Sequence, residues 1–326
     1  MTASDTSAPP SGPWRRPWRL LRLALIYQLD VIDQARLDVS GGMEPLVAST
    51  VSTVCVAPIT RSARLQRLYA TLDNPPPDHL RRPITINSIA ASLDMPFETV
   101  RRTVHRLVER NILQLTPRGV IFPAASAMGE GYIRPATARY ERTRRLYQDL
   151  RAAGTPFPPP DDPEPLPGPP VRLVNRLIGE YGLRVMERVM RWTNDPLRAV
   201  MLMQVARASA DHLEPEAFDE PDPITNFIPR PVRVSEVARA LDIPHETVRR
   251  NLRALESASL LKREPAGYLI NLEMITEEAA RESFRGGIRD FRRFVERLAR
   301  LGVFAWWDAE DQAAAGVAVR SSEPAL

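Results

Sequence analysis

The chain has 326 residues, 44 of them basic and 40 acidic, with a formal net charge of +4 and 44 % apolar residues. That length allows about two domains with ordinary cores, and the composition rules out a fibrous, collagen-like or wholly disordered chain. A single cysteine, Cys55, excludes an intrachain disulfide and fits a reducing cytoplasm, while no run of 18 uncharged apolar residues offers a membrane span.

In chain order, residues 1–18 read as a polar, basic arm without fixed structure. Its end, PWRRPWRLLRL at 13–23, carries Trp14 and Trp18. This stretch suits contact with a membrane surface or a phosphate backbone, and equally an arm leading into a first helix. No secretory signal is legible. Helical runs follow at 20–37 and 44–72.

Residues 86–122, INSIAASLDMPFETVRRTVHRLVERNILQLTPRGVIF, align without a gap with residues 234–270, VSEVARALDIPHETVRRNLRALESASLLKREPAGYLI, at an offset of 148. The order of the flanking runs repeats too: 171–192 and 195–213 precede the second copy, and Gly154 falls on Gly302. A repeat of this kind predicts duplication and fusion of one unit. The units are expected at 19–154 and 171–303. Between them lies 155–170, where PFPPPDDPEPLPGPP holds nine prolines in fifteen residues. Such composition predicts a semi-rigid polyproline spacer reaching about 46 Å at ~3.1 Å per residue. The tail, 304–326, is rich in alanine and acidic residues and is expected to be disordered after Trp307, with Trp306 and Trp307 in a core or an interface.

Within each copy, Ile86, Ile89, Ala90 and Leu93, and likewise Val234, Val237, Ala238 and Leu241, stand at helical spacing. A turn at Asp94 or Asp242 and a proline end that helix, because Asp tolerates the left-handed region and Pro has no place in a helix interior. A second helix buries Val100, Val104 and Leu107, or Val248, Leu252 and Leu255. By rotation of about 100° per residue, Arg102, His105 and Arg106 face away from that stripe and Arg101 flanks it. In the second copy Arg250 and Arg253 face away and Arg249 flanks. Two short strands around TPRG and EPAG then predict a hairpin.

Helix, tight turn, helix and hairpin is the winged helix-turn-helix order. ETVRRTVHRLVERNIL and ETVRRNLRALESASLL resemble the helix-turn-helix of bacterial regulators of the GntR and IclR types, over about forty residues per half. The resemblance implies a mainly α fold with small β-wings, two tandem modules, a second helix in the major groove and a wing on the adjacent backbone. It reaches no effector domain of either family. The candidate DNA-binding residues are Thr99, Arg101, Arg102, His105, Arg106 and Arg118 in the first copy, and His245, Thr247, Arg249, Arg250, Arg253, Lys262 and Arg263 in the second. Arginine can grip guanine O6 and N7 or a phosphate with two N–H groups, and threonine can donate to phosphate. Residues 81–118 carry seven arginines against three acids, and 230–264 eight basic residues against five acids, so the rest of the chain is acidic on balance.

The expectation is a cytoplasmic, bacterial, sequence-specific double-stranded DNA binder that regulates transcription. Half-sites one turn apart, ~34 Å, lie within the spacer's reach, and the flanking helices pack the halves together or form a homodimer interface. The alternatives are a plasmid replication-initiator-like protein and a protein-binding adaptor built on winged helices, since exposed arginines also serve as a solvated face. His79, His105, His212, His245 and Cys55 show no metal-ligand spacing, and there is no phosphate loop or nucleophile motif, so no catalytic residue, metal or cofactor is expected.

Overall fold

The computed structural model describes residues 16–36, 43–214, 228–273 and 278–321. In the first half the elements are α1 (Pro17–Arg36), α2 (Glu44–Cys55), α3 (Ala57–Thr60), α4 (Ala63–Leu68), α5 (Ile86–Ser92), α6 (Phe97–Glu109), β1 (Gln114–Thr116), β2 (Gly119–Ile121) and α7 (Glu130–Ala152). The second half holds α8 (Val171–Thr193), α9 (Pro196–Ala210), α10 (Val234–Leu241), α11 (His245–Ser257), β3 (Leu261–Glu264), β4 (Gly267–Ile270), α12 (Glu278–Arg300) and α13 (Val303–Ser321). The protein is thus mainly helical with two small antiparallel sheets. None of the described helices is long and apolar enough to cross a membrane.

The central body draws on both halves. Tyr27 of α1, Tyr140 and Tyr147 of α7, Leu173 and Tyr181 of α8, Phe291 and Phe294 of α12, and Trp307 of α13 share one core. Tyr181 stacks on Phe294 at 5.0 Å between ring centroids, and Tyr147 on Phe304 at 4.2 Å. The flanking helices of the stretches 19–154 and 171–303 interleave in this one core, because each has an apolar face that the other half covers.

Three expectations need correction. The single run at 44–72 is three short helices: Val56 ends α2, Pro58 opens α3 because it lacks an N–H, and the Ser62 hydroxyl caps α4 by accepting from Leu65 N. The proline-rich stretch is a strap, not a free spacer. Leu166 is buried in the central core, Phe157 packs edge-on against Phe304, Asp161 N donates to Arg300 O at 2.8 Å, and Arg67 pairs with Asp162 at 3.1 Å. Its extended reach therefore does not set the spacing of the two units. Finally, the tail is helical through 321. Trp307 is fully buried and donates to the Tyr140 hydroxyl, and the acidic residues that suggested disorder meet the arginines of α7: Asp308 pairs with Arg151, and Glu310 with Arg144 at 3.2 Å. Residues 322–326 and most of the basic arm lie outside the described residues; its last two residues, Pro17 and Trp18, belong to α1, with the Trp18 ring against Phe284.

Two smaller cores flank this body. Val47, Val51 and Cys55 of α2 seat α5, α6 and the β1–β2 hairpin. Met201, Val205 and Ala208 of α9 seat α10, α11 and the β3–β4 hairpin.

Candidate nucleic-acid interface

Each helix pair turns on the same backbone device. Asp94 at φ 48° and Asp242 at φ 47° take the left-handed conformation between the helices, where a short polar side chain is tolerated. Pro96 and Pro244 precede α6 and α11 and supply no side-chain cap; their carbonyls accept the first helical bonds instead. The hairpins register Thr116 opposite Gly119 and Glu264 opposite Gly267. Each hairpin is joined by one further antiparallel bridge, Ile84 to Val120 and Val232 to Tyr268. A Cβ on Gly119 would stand 2.6 Å from Ile84 O, and one on Gly267 would stand 2.5 Å from Val232 O, so only glycine permits that close crossing.

α6 buries Val100, Thr103, Val104 and Leu107, and α11 buries Val248, Asn251, Leu252 and Leu255. The apolar members are those expected from the spacing. Thr103 and Asn251 complete the stripe by turning their polar atoms back on the helix: Thr103 Oγ1 donates to Thr99 O at 2.9 Å, and Asn251 Nδ2 to Thr247 O at 2.8 Å.

The opposite face of each helix is uncovered. On α6, Thr99 and His105 are exposed and the Arg102 side chain is 69 % exposed. Glu98, one turn earlier, accepts from Arg101 Nε and Nη2, both at 2.8 Å, and from Arg102 Nε at 3.0 Å. Hydrogen bonds from Arg101 and then Arg102 hold the Glu98 carboxyl down at about 2. On α11, Thr247 is half-buried and His245, Arg250 and Arg253 are exposed. Glu246 accepts from Arg249 at 2.7 and 2.6 Å, and that bond lowers its pKa. Among the described residues the guanidinium groups of Arg250 and Arg253 make no ion pair.

Arg106 has a long-range carboxylate partner. It lies on the outer face but donates to Glu44 Oε1 at 2.9 Å, while Arg110 donates to Glu44 Oε2 at 2.7 Å. The Glu44 side chain, at the start of α2, is only 8 % exposed. Two turns of α6 are thereby clamped to α2. Sequence reading missed Glu44 and Arg110 because the pairing spans more than sixty residues, and only the spacing of Arg106 and Arg110, one turn apart, hinted at a shared carboxylate.

Both hairpins are exposed at their tips. Arg118 occupies the β1–β2 turn, and Lys262 and Arg263 lie on β3. Lys262 is paired with Glu273 at 2.7 Å, so it is not a free cation. No group of three or more metal-ligating side chains occurs among the described residues.

Residues 226–264, which cover α10, α11 and β3, match a family described as a helix-turn-helix domain. The match points to DNA binding in a regulatory setting, and the first helix pair lies outside it. Comparison with curated proteins and with solved structures finds no match to the chain.

Proposed function

We propose that this chain is a transcriptional regulator that binds double-stranded DNA sequence-specifically through two winged helix-turn-helix modules, α5–α6–β1–β2 and α10–α11–β3–β4, descended from one duplicated unit. The observation that carries the reading is the uncovered arginine-bearing face found on both α6 and α11. In this reading Arg102, Arg250 and Arg253 enter the major groove beside Thr99, His105, His245 and Thr247. Arg101, Arg249, Arg118 and Arg263 meet the flanking phosphates, and Lys262 joins them after exchanging Glu273 for phosphate.

Duplication is supported by the backbone itself. The left-handed or glycine-only positions Asp94, Asn111, Gly119 and Gly154 recur 148 residues on as Asp242, Ser259, Gly267 and Gly302. α7 and α12 recur at the same offset from first residue to last. Because the strap and the shared core join the two halves, the modules present a fixed pair of faces, and the DNA site is expected to be bipartite with invariant spacing.

Selecting bound duplexes from a random-sequence pool tests this. Enrichment of two short elements at one spacing is the expected result. A pool that shifts with no enriched sequence would leave a non-specific binder and contradict the regulator.

A further inference from the structure

A cleft of about 1240 Å³ opens among α1, α2, α7, α8 and α9. Its lining reaches the C-terminal end of α6 on one side and the α10–α11 turn, Leu241 to Ile243, on the other. Five arginines line it against two carboxylates, Asp78 and Asp242. Three of the arginines are deeply buried: Arg81, Arg172 and Arg176 are 5, 2 and 6 % exposed.

Their hydrogen bonds go mostly to carbonyls, which satisfy N–H groups without cancelling charge. Arg172 donates to Leu72 O and to Ala127 O, Arg176 to Tyr69 O and Gln66 O, and Arg81 to Pro76 O. The carboxylate paired with them is Asp78, 3.1 Å from Arg81, and it is half exposed. Burial holds Arg176 down to about 10, and the neighbouring Arg172 and Arg81 push the same way. Arg176 Nε has no hydrogen-bond partner, and neither does Oε1 of Gln28, which is 4 % exposed and lines the same cleft. Buried cations in this number call for an anion, because unpaired charge in a poorly solvated site is costly. Elsewhere the wall is mixed: Ile32, Leu46, Met186 and Val200 supply apolar surface beside polar Ser49, Ser52 and Thr53.

We propose that the cleft binds a small organic anion, its charged group at the Arg172 and Arg176 end and its apolar body along α1, α2 and α9. A cleft of this size with a few convergent polar groups has the character of a ligand site. Since the occupant also meets the end of α6 and the α10–α11 turn, its binding shifts DNA affinity; that consequence alone rests on the DNA-binding reading.

The probe is 8-anilinonaphthalene-1-sulfonate, titrated by fluorescence into the full chain without DNA and compared with the neutral N-phenyl-1-naphthylamine. Two variants accompany it, each checked by its melting temperature. Ser49→Trp adds bulk at an exposed position of the cleft wall, and Arg139→Gln removes a cation from the wall without touching the three buried arginines. Saturable binding of one probe per chain is expected, about tenfold tighter than the neutral compound and about tenfold weaker in Ser49→Trp. Arg139→Gln weakens the sulfonate roughly a few-fold by loss of one charge and leaves the neutral compound unchanged. Non-saturating fluorescence, equal affinity for the neutral compound, or sulfonate affinity unchanged in both variants would overturn the site. Unaltered DNA affinity with the probe bound would overturn the coupling and leave the site standing.

Discussion

The two helix pairs share a backbone and differ in how their charges are engaged. On α6 all three arginines have a carboxylate: Glu98 holds Arg101 and Arg102, and Glu44 holds Arg106 together with Arg110, the residue just past the helix end. On α11 Glu246 holds Arg249, while Arg250 and Arg253 stand without an ion pair among the described residues. The positions that match Arg106 and Arg110 are Ala254 and Ala258, so the second copy has nothing for a Glu44-like clamp to grip. Equal folds therefore do not imply equal electrostatics. A phosphate competing for α6 must displace a carboxylate, and one approaching α11 need not.

The largest expected effect follows from that contrast. Arg250→Ala with Arg253→Ala lowers DNA affinity on the order of a hundredfold, whereas Arg101→Ala with Arg102→Ala costs on the order of tenfold and, through Arg101, reduces the salt slope by about 1. Fluorescence anisotropy across a salt series measures both; equal losses would remove the asymmetry. The backbone, in contrast, predicts symmetry. Gly119→Ala and Gly267→Ala each place a Cβ against a carbonyl at positive φ, +134° and +151°, and each is expected to destabilise its unit by roughly 2–3 kcal/mol in chemical denaturation.

Smaller effects sharpen the role of the carboxylates. Glu44→Gln frees Arg106 and Arg110, costs about 1–2 kcal/mol of stability from the lost charged hydrogen bonds, and raises DNA affinity a few-fold, about as one added cation would. Thermal melts and DNA titrations on one preparation read both directions. The smallest effect is a titration. The Glu98 carboxyl lies below its usual 4.5, at about 2, so its contribution to folding is complete above pH 4.5 and is lost as pH falls toward 2. Carboxyl chemical shifts against pH in the free protein report that value, and saturation with DNA moves it back upward as Arg101 turns to phosphate and Arg102 to the groove.

The repeat made the two helix pairs and their hairpins legible. Local spacing placed Val100, Val104 and Leu107 on the buried stripe, Asp94 and Asp242 in the turns, and the hairpins around TPRG and EPAG. Local rules suffice there because helix pairs and hairpins close over short distances. What stayed illegible depends on pairings between distant segments. The strap at 155–170 has the composition of a free spacer, and the apolar seats for Leu166 and Phe157, with the pairings of Asp161 to Arg300 and Asp162 to Arg67, make it part of the body. The acidic residues after Trp307 look like a solvated tail until Arg144 and Arg151 of α7 are placed opposite them. The clamp of Glu44 on α6 belongs to the same class, since its members are 62 and 66 residues apart.

Duplex DNA is proposed to bind on the uncovered faces of α6 and α11. Anisotropy of a labelled duplex titrated with the Arg102→Glu, Arg250→Glu double variant, confirmed folded by its circular dichroism, tests it most directly. Binding is expected to be lost at concentrations that saturate the wild type, with a flattened salt slope in what remains. Retention of wild-type affinity and slope in that variant would place the DNA on some other surface, or remove it as a partner.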